Sequence, residues 1–142
     1  MNFKRERLAK GNPIGFRLTA AEPIPLMPFI DLQRWTSREI FPGFTGKVVH
    51  SAWMTFVHWE IQPGAVLPDH AHTHEQVVNM IEGEFELTIS GQTQRLGPGH
   101  VAIIPSNARH SGRAITRCRI LDAFYPIRED YREAAGETGA AG

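Results

Sequence analysis

The sequence predicts an all-β domain, built as a sandwich or a closed barrel. Two observations carry that prediction. Short runs rich in valine, isoleucine, threonine and aromatic residues recur from Gly46 onward, each punctuated by Gly, Pro, Asn or Ser. No segment repeats its apolar residues with a strong helical period, and many short strands without helices mark β-sandwiches and barrels. A chain of 142 residues is one domain with room for a core.

Residues 1–43 read as an irregular N-terminal segment. Pro13, Pro23, Pro25, Pro28 and Pro42 interrupt any long helix or central strand there. Residues 31–35 read as a short turn or an edge strand. Strands are expected at 48–50, 53–61, 77–81, 84–89, 101–104 and 115–125, within a barrel spanning 44–132. Residues 83–89 alternate apolar and polar, so one face is buried and the other wet. Ser90-Gly91 then supplies a hairpin turn. Trp53, Met54, Phe56 and Trp59 are expected in the core or a dimer interface rather than as a platform for a sugar. The small-residue stretch 133–142 reads as a disordered tail. No internal repeat is visible.

Charge and composition narrow the partners. Fifteen basic residues balance fifteen acidic ones, which argues against nucleic acid, polyanions and anionic membranes. Cys118 is the single cysteine, so no intrachain disulfide forms, and a reducing compartment fits. No apolar run is long enough to span a bilayer. The charged start, Met1 to Arg7, leads into Gly11-Asn12-Pro13 rather than a secretory apolar core. The chain is read as soluble and cytoplasmic, with a small-molecule partner.

The chemistry concentrates in one stretch. His70, His72, His74 and Gln76 stand at alternate positions, and His110 follows Pro105 and Asn107 downstream. Imidazole is a common metal ligand, and alternate residues of a strand face the same way. On a straight strand, His70 and Gln76 would stand roughly 20 Å apart at about 3.3 Å per residue. Bonds to one ion are only about 2 Å long. A turn or bulge at 73–75 is therefore required to bring Gln76 back beside His70 and His72, with His110 arriving from another strand. The expected ligands are His70, His72, Gln76 and His110. His74 is left on the turn, as a pocket residue. His50, His58 and His100 are read as ordinary surface or core histidines.

These residues resemble the cupin superfamily. Its first motif, a glycine, His-x-His, a glutamate and a closing glycine, falls in register with Gly64, His70, His72, position 76 and Gly83. Gln76 stands where glutamate is usual. Gly91, Pro98-Gly99, Pro105 and His110 represent the second motif. The resemblance implies a double-stranded β-helix, or jelly roll. A narrower resemblance joins His-x-His-x-His-Glu-Gln to Asp122-Ala123-Phe124-Tyr125-Pro126-Ile127-Arg128. That pattern is similar to KdgF-type pectin-degradation cupins and covers about residues 44–132.

The narrower resemblance implies one divalent ion, of the zinc, nickel, manganese or iron kind, held by three histidines and a glutamine. It implies ring opening of 4,5-unsaturated uronates from pectin or alginate into linear keto sugars. Asp122 is then the catalytic acid/base, with Phe124 and Arg128 at the substrate and His74 lining the pocket. Small cupins of this kind also imply a homodimer. The residues themselves are compatible. A set of three histidines and an amide is neutral, so the ion keeps its full charge for an anionic substrate. Asp122 shares strand parity with Cys118, Ile120 and Phe124, and an acid in an apolar strand needs a reason. Arg128 offers a planar fork for a carboxylate. Structural alternatives stand beside each: Asp122 paired with Arg119, Phe124 in the core, and Arg128 paired with Glu129 or Asp130. Competing functions are another metal cupin enzyme, a dioxygenase or small-acid lyase, and a non-catalytic sugar- or acid-binding cupin.

Overall fold

A computed structural model describes residues 28–132; the tail expected at 133–142 and most of the Pro-rich N-terminus lie outside them. Ten strands run β1 (Arg38–Phe41), β2 (Phe44–His50), β3 (Thr55–Ile61), β4 (Val66–His70), β5 (Glu75–Glu82), β6 (Phe85–Ile89), β7 (Gln92–Leu96), β8 (Val101–Ile104), β9 (His110–Ala114) and β10 (Cys118–Tyr125). Short 3-10 turns lie at Leu32–Arg34 and Glu129–Tyr131. One sheet has the order β1-β2-β3-β10-β5-β8 and the other β4-β9-β6-β7, all pairs antiparallel. The two sheets enclose one core, the jelly roll expected from the sequence.

Strand alternation builds that core. Thr55, Val57, Trp59 and Ile61 of β3 turn inward, as do Gln76, Val78 and Met80 of β5. Cys118, Ile120, Asp122 and Phe124 of β10 do the same, the parity expected for Asp122. Phe85 and Leu87 bury the alternating face of β6. The following turn has positive φ at both Ser90 (48°) and Gly91 (82°), as a two-residue hairpin requires. Gly83 is fixed twice over. Its φ is +84°, and a Cβ there would lie 2.1 Å from the Arg117 carbonyl oxygen.

Within the described part of segment 1–43, the short turn read at 31–35 is a 3-10 turn at Leu32–Arg34, and one stretch read as irregular, Arg38–Phe41, is a strand. Pro42 falls just outside that strand, in the turn to β2, so it costs no ladder bond. Ile40 and Phe41 pack against the core and give the strand its driving force. Strands β4, β7 and β9 also lie outside the expected runs. Among the described residues, no helix is long and apolar enough to cross a membrane.

Candidate metal centre

Each sheet delivers part of the site. On the four-stranded sheet, His70 at the end of β4 pairs directly with His110 at the start of β9. On the six-stranded sheet, Gln76 of β5 lies opposite Phe124 of β10, two residues from Asp122. His72 lies between, in the connection from β4 to β5, where the chain bends at 73–74. That bend is the turn the spacing required. His70, His72 and His110 each bring a ring nitrogen to a common point, all within 4.8 Å of one another. His110 is buried and the other two are partly exposed.

The three rings are held in the same manner. His70 Nδ1 is 2.8 Å from the Pro68 carbonyl, His72 Nδ1 is 3.0 Å from that of His74, and His110 Nδ1 is 2.9 Å from that of Ala108. A carbonyl only accepts, so each Nδ1 carries a hydrogen and Nε2 is the nitrogen left to face the cluster. Burial, then the positive charge of Arg128 and the neighbouring His110, push the His72 imidazole down to about 4. Burial also pulls His110 down. Both are therefore neutral at pH 7, the form that ligates metal. His110 Nε2 is buried with no hydrogen-bond partner.

Gln76 completes the arrangement. Its Nε2 donates to Asp122 Oδ2 at 2.9 Å, which turns Oε1 toward His72 Nε2 at 3.1 Å. With His72 neutral and its hydrogen on Nδ1, two lone pairs face the same gap, which a cation there would relieve. His70, His72 and His110 could hold a metal ion between them, and the amide oxygen of Gln76 faces the same gap.

Asp122 is fully enclosed. Oδ2 accepts from both Gln76 and the Trp59 indole N–H, the latter at 2.9 Å. Oδ1 is buried with no hydrogen-bond partner. Burial pushes the carboxyl up to about 7, against the pull of those two donors. Its partners are therefore Trp59 and Gln76 rather than Arg119, whose guanidinium lies 3.4 Å from Glu82. The role of Trp59 was not legible from its strand parity, which marks it only as core. A usable signal was the acid itself: a buried carboxylate on β10 needs a donor from an adjacent strand, and β3 offers two inward donors, Thr55 and Trp59.

Phe124 is 2% exposed and packs edge-on against the His72 ring at 5.8 Å. Arg128 lies over Phe124 and Tyr131, at 4.9 and 4.1 Å from the ring centroids. Its Nε and Nη2 donate to the two Asp130 oxygens at 2.9 and 2.7 Å, so this edge of the fork has a partner in the chain itself. His74 lies on the bend, its Nδ1 buried without a hydrogen-bond partner. His50, His58 and His100 stand apart from the cluster. The cavity inside the barrel is about 40 Å³ and is lined by His70, Gln76, His110, Asp122, Phe124 and Arg128 among others. That is space for about three water-sized groups.

Residues 57–124 match the family model described as "Cupin domain". KdgF from Halomonas sp. superposes with a TM-score of 0.68 at 28% identity, covering 72% of this chain and 96% of that one. An RmlC-like cupin from Shewanella frigidimarina NCIMB 400 gives 0.70 at 27% identity, over 72% and 94%. The Cnp3 cupin domain of Schizosaccharomyces pombe shares the fold at 14% identity and a TM-score of 0.61, over 75% and 79%. No curated protein matches significantly.

Proposed function

Residues 57–124 of this chain match the cupin domain, and from that premise we propose that the protein is a metal-dependent enzyme that linearises 4,5-unsaturated uronates. The observation that carries this reading is the pairing of a neutral donor set with a buried carboxyl whose Oδ1 has no partner in the chain. Bound at the three histidines and Gln76, a divalent ion supplies positive charge and Lewis acidity for an anionic substrate. The uronate carboxylate is the part that fits the small cavity, with the ring at its mouth. Arg128 adds positive charge beside the cavity without giving up Asp130.

The reaction is an isomerisation. A proton leaves the anomeric hydroxyl, the bond from the anomeric carbon to the ring oxygen breaks, and the ring oxygen becomes an enol. That enol then loses its proton as carbon 4 gains one, leaving a ketone. Asp122 Oδ1 carries the proton between oxygen and carbon, a role suited to a carboxyl near pH 7. Phe124 and the barrel wall exclude water behind it.

The test follows the alkene ultraviolet absorbance of 4,5-unsaturated galacturonate with metal-loaded protein. Loss faster than the spontaneous rate, abolished by chelator, supports the reading. An unchanged rate at verified metal occupancy removes it. A homodimer is proposed alongside. Its support is an apolar row in register across the outer face of the six-stranded sheet, Ile103, Val77, Ala123, Phe56 and Val49. Light scattering that finds a monomer at micromolar concentration would remove that proposal.

A further inference from the structure

We propose that Asp122, braced by Trp59, is the positioning residue that makes Gln76 an oxygen ligand, through a one-way chain of hydrogen bonds. This rests on the metal site and not on the identity of the substrate.

The logic begins at Trp59. An indole N–H donates and never accepts. It lies 2.9 Å from Asp122 Oδ2, so that oxygen is committed to accepting. Any proton on the carboxyl belongs on Oδ1, which has no other partner, so the second group on Oδ2, 2.9 Å away, must also donate, and it belongs to residue 76. An amide satisfies this with its NH2 and is left with its oxygen on the opposite side, facing His72 at 3.1 Å. A flipped amide would set its oxygen against the Asp122 carboxylate and its NH2 against the bare His72 Nε2. Both contacts would be unfavourable in a buried site.

The same chain explains why Gln76 replaces the usual cupin glutamate. An ionised glutamate has no hydrogen to give Oδ2 and would place a second carboxylate about 3 Å from the first, where like charges oppose each other. The two Asp122 oxygens thus divide their work: Oδ2 sets the ligand, and Oδ1 remains for chemistry. Position 76 is read against position 122, and position 122 against Trp59.

The test uses the full chain, without a histidine tag, and cobalt(II) as the probe. Metal affinity is measured by chelator competition, and the ligand environment by the visible absorption of the cobalt-loaded protein. Asparagine at 122 retains an acceptor oxygen for both donors, so Asp122→Asn keeps affinity within about threefold and preserves the cobalt spectrum. Asp122→Leu removes the acceptor and lowers affinity at least tenfold with an altered spectrum, matching the loss seen when supporting partners of ligands are removed. Trp59→Phe keeps an aromatic ring but lacks the N–H, and falls between the two. Wild-type affinity and spectrum in the leucine variant would overturn the proposal. So would equal losses in the asparagine and leucine variants, because charge rather than hydrogen-bond direction would then be what matters. If the leucine variant does not fold, Trp59→Phe decides: an unchanged spectrum and affinity in that variant overturns the relay. None of these outcomes depends on uronate turnover.

Discussion

The two ends of the barrel interior use the same strands differently. At one end, Phe44 packs edge-on against Trp59 and Phe85 at 5.9 and 6.4 Å, and Ile61 and Met80 fill the space between the sheets. At the other, two registers further along β10, the inward positions hold Asp122 and Phe124 beside Gln76, His72 and His110. The first end gains by removing apolar surface from water. The second leaves His110 Nε2 and Asp122 Oδ1 buried without partners, at a cost a purely structural core would not retain. The contrast teaches where to look for chemistry in a small barrel: where inward positions stop satisfying one another.

Four experiments sharpen or break that contrast. The largest effect belongs to the apolar end. Phe85→Ala should lower stability by about 3–5 kcal/mol, read from the denaturant midpoint of metal-free protein. A loss under 1 kcal/mol would mean that the end is not the fold's support. At the polar end, His110→Ala should abolish the rise in melting temperature that zinc gives the wild type. Its affinity should drop beyond the tenfold to hundredfold lost with a supporting partner. An undiminished zinc-induced rise would place the ion elsewhere.

The third experiment concerns pH. The folded Asp122 carboxyl titrates at about 7, above the ordinary 3.8. Its contribution to stability is therefore full below about pH 4 and lost as pH rises through 7. Asparagine has no such proton. Between pH 4 and 8, metal-free wild type should lose stability relative to Asp122→Asn, and parallel curves would show that the carboxyl titrates normally. The smallest effect is outside the barrel. The Arg95–Glu84 ion pair is exposed on both sides, so Arg95→Ala should shift stability by less than about 1 kcal/mol and leave zinc binding untouched.

Much of this was legible in the sequence because function imposed unusual residues. Alternating histidines, a required bend before Gln76 and the parity of Asp122 each have a direct geometric meaning; the structure brings His70, His72 and His110 together and leaves His74 on the bend. The barrel's edges were less legible. Strand β7 is exposed at four of its five residues, and β9, His-Ser-Gly-Arg-Ala, has no β-branched residue at all. Such segments become strands because neighbours pair with them, not through their own preference. Strand β4 contains Pro68 and is exposed along most of its length, so it too is defined by β9. Trp59 was legible as a core residue, but its hydrogen bond to an acid 63 residues away belongs to the tertiary structure alone. Arg128 could be read two ways, and its bidentate contact with Asp130 shows that one of them is occupied.

Placing His70 and His110 on one sheet and Gln76 on the other also has a mechanical side. An ion held by all of them acts as a rivet through the barrel wall. Its departure would let the sheets breathe apart at the site while their far ends stay clamped by aromatic packing. Amide hydrogens near His110 and Gln76 would then exchange faster in stripped protein, and those near Phe44 and Ile61 would not.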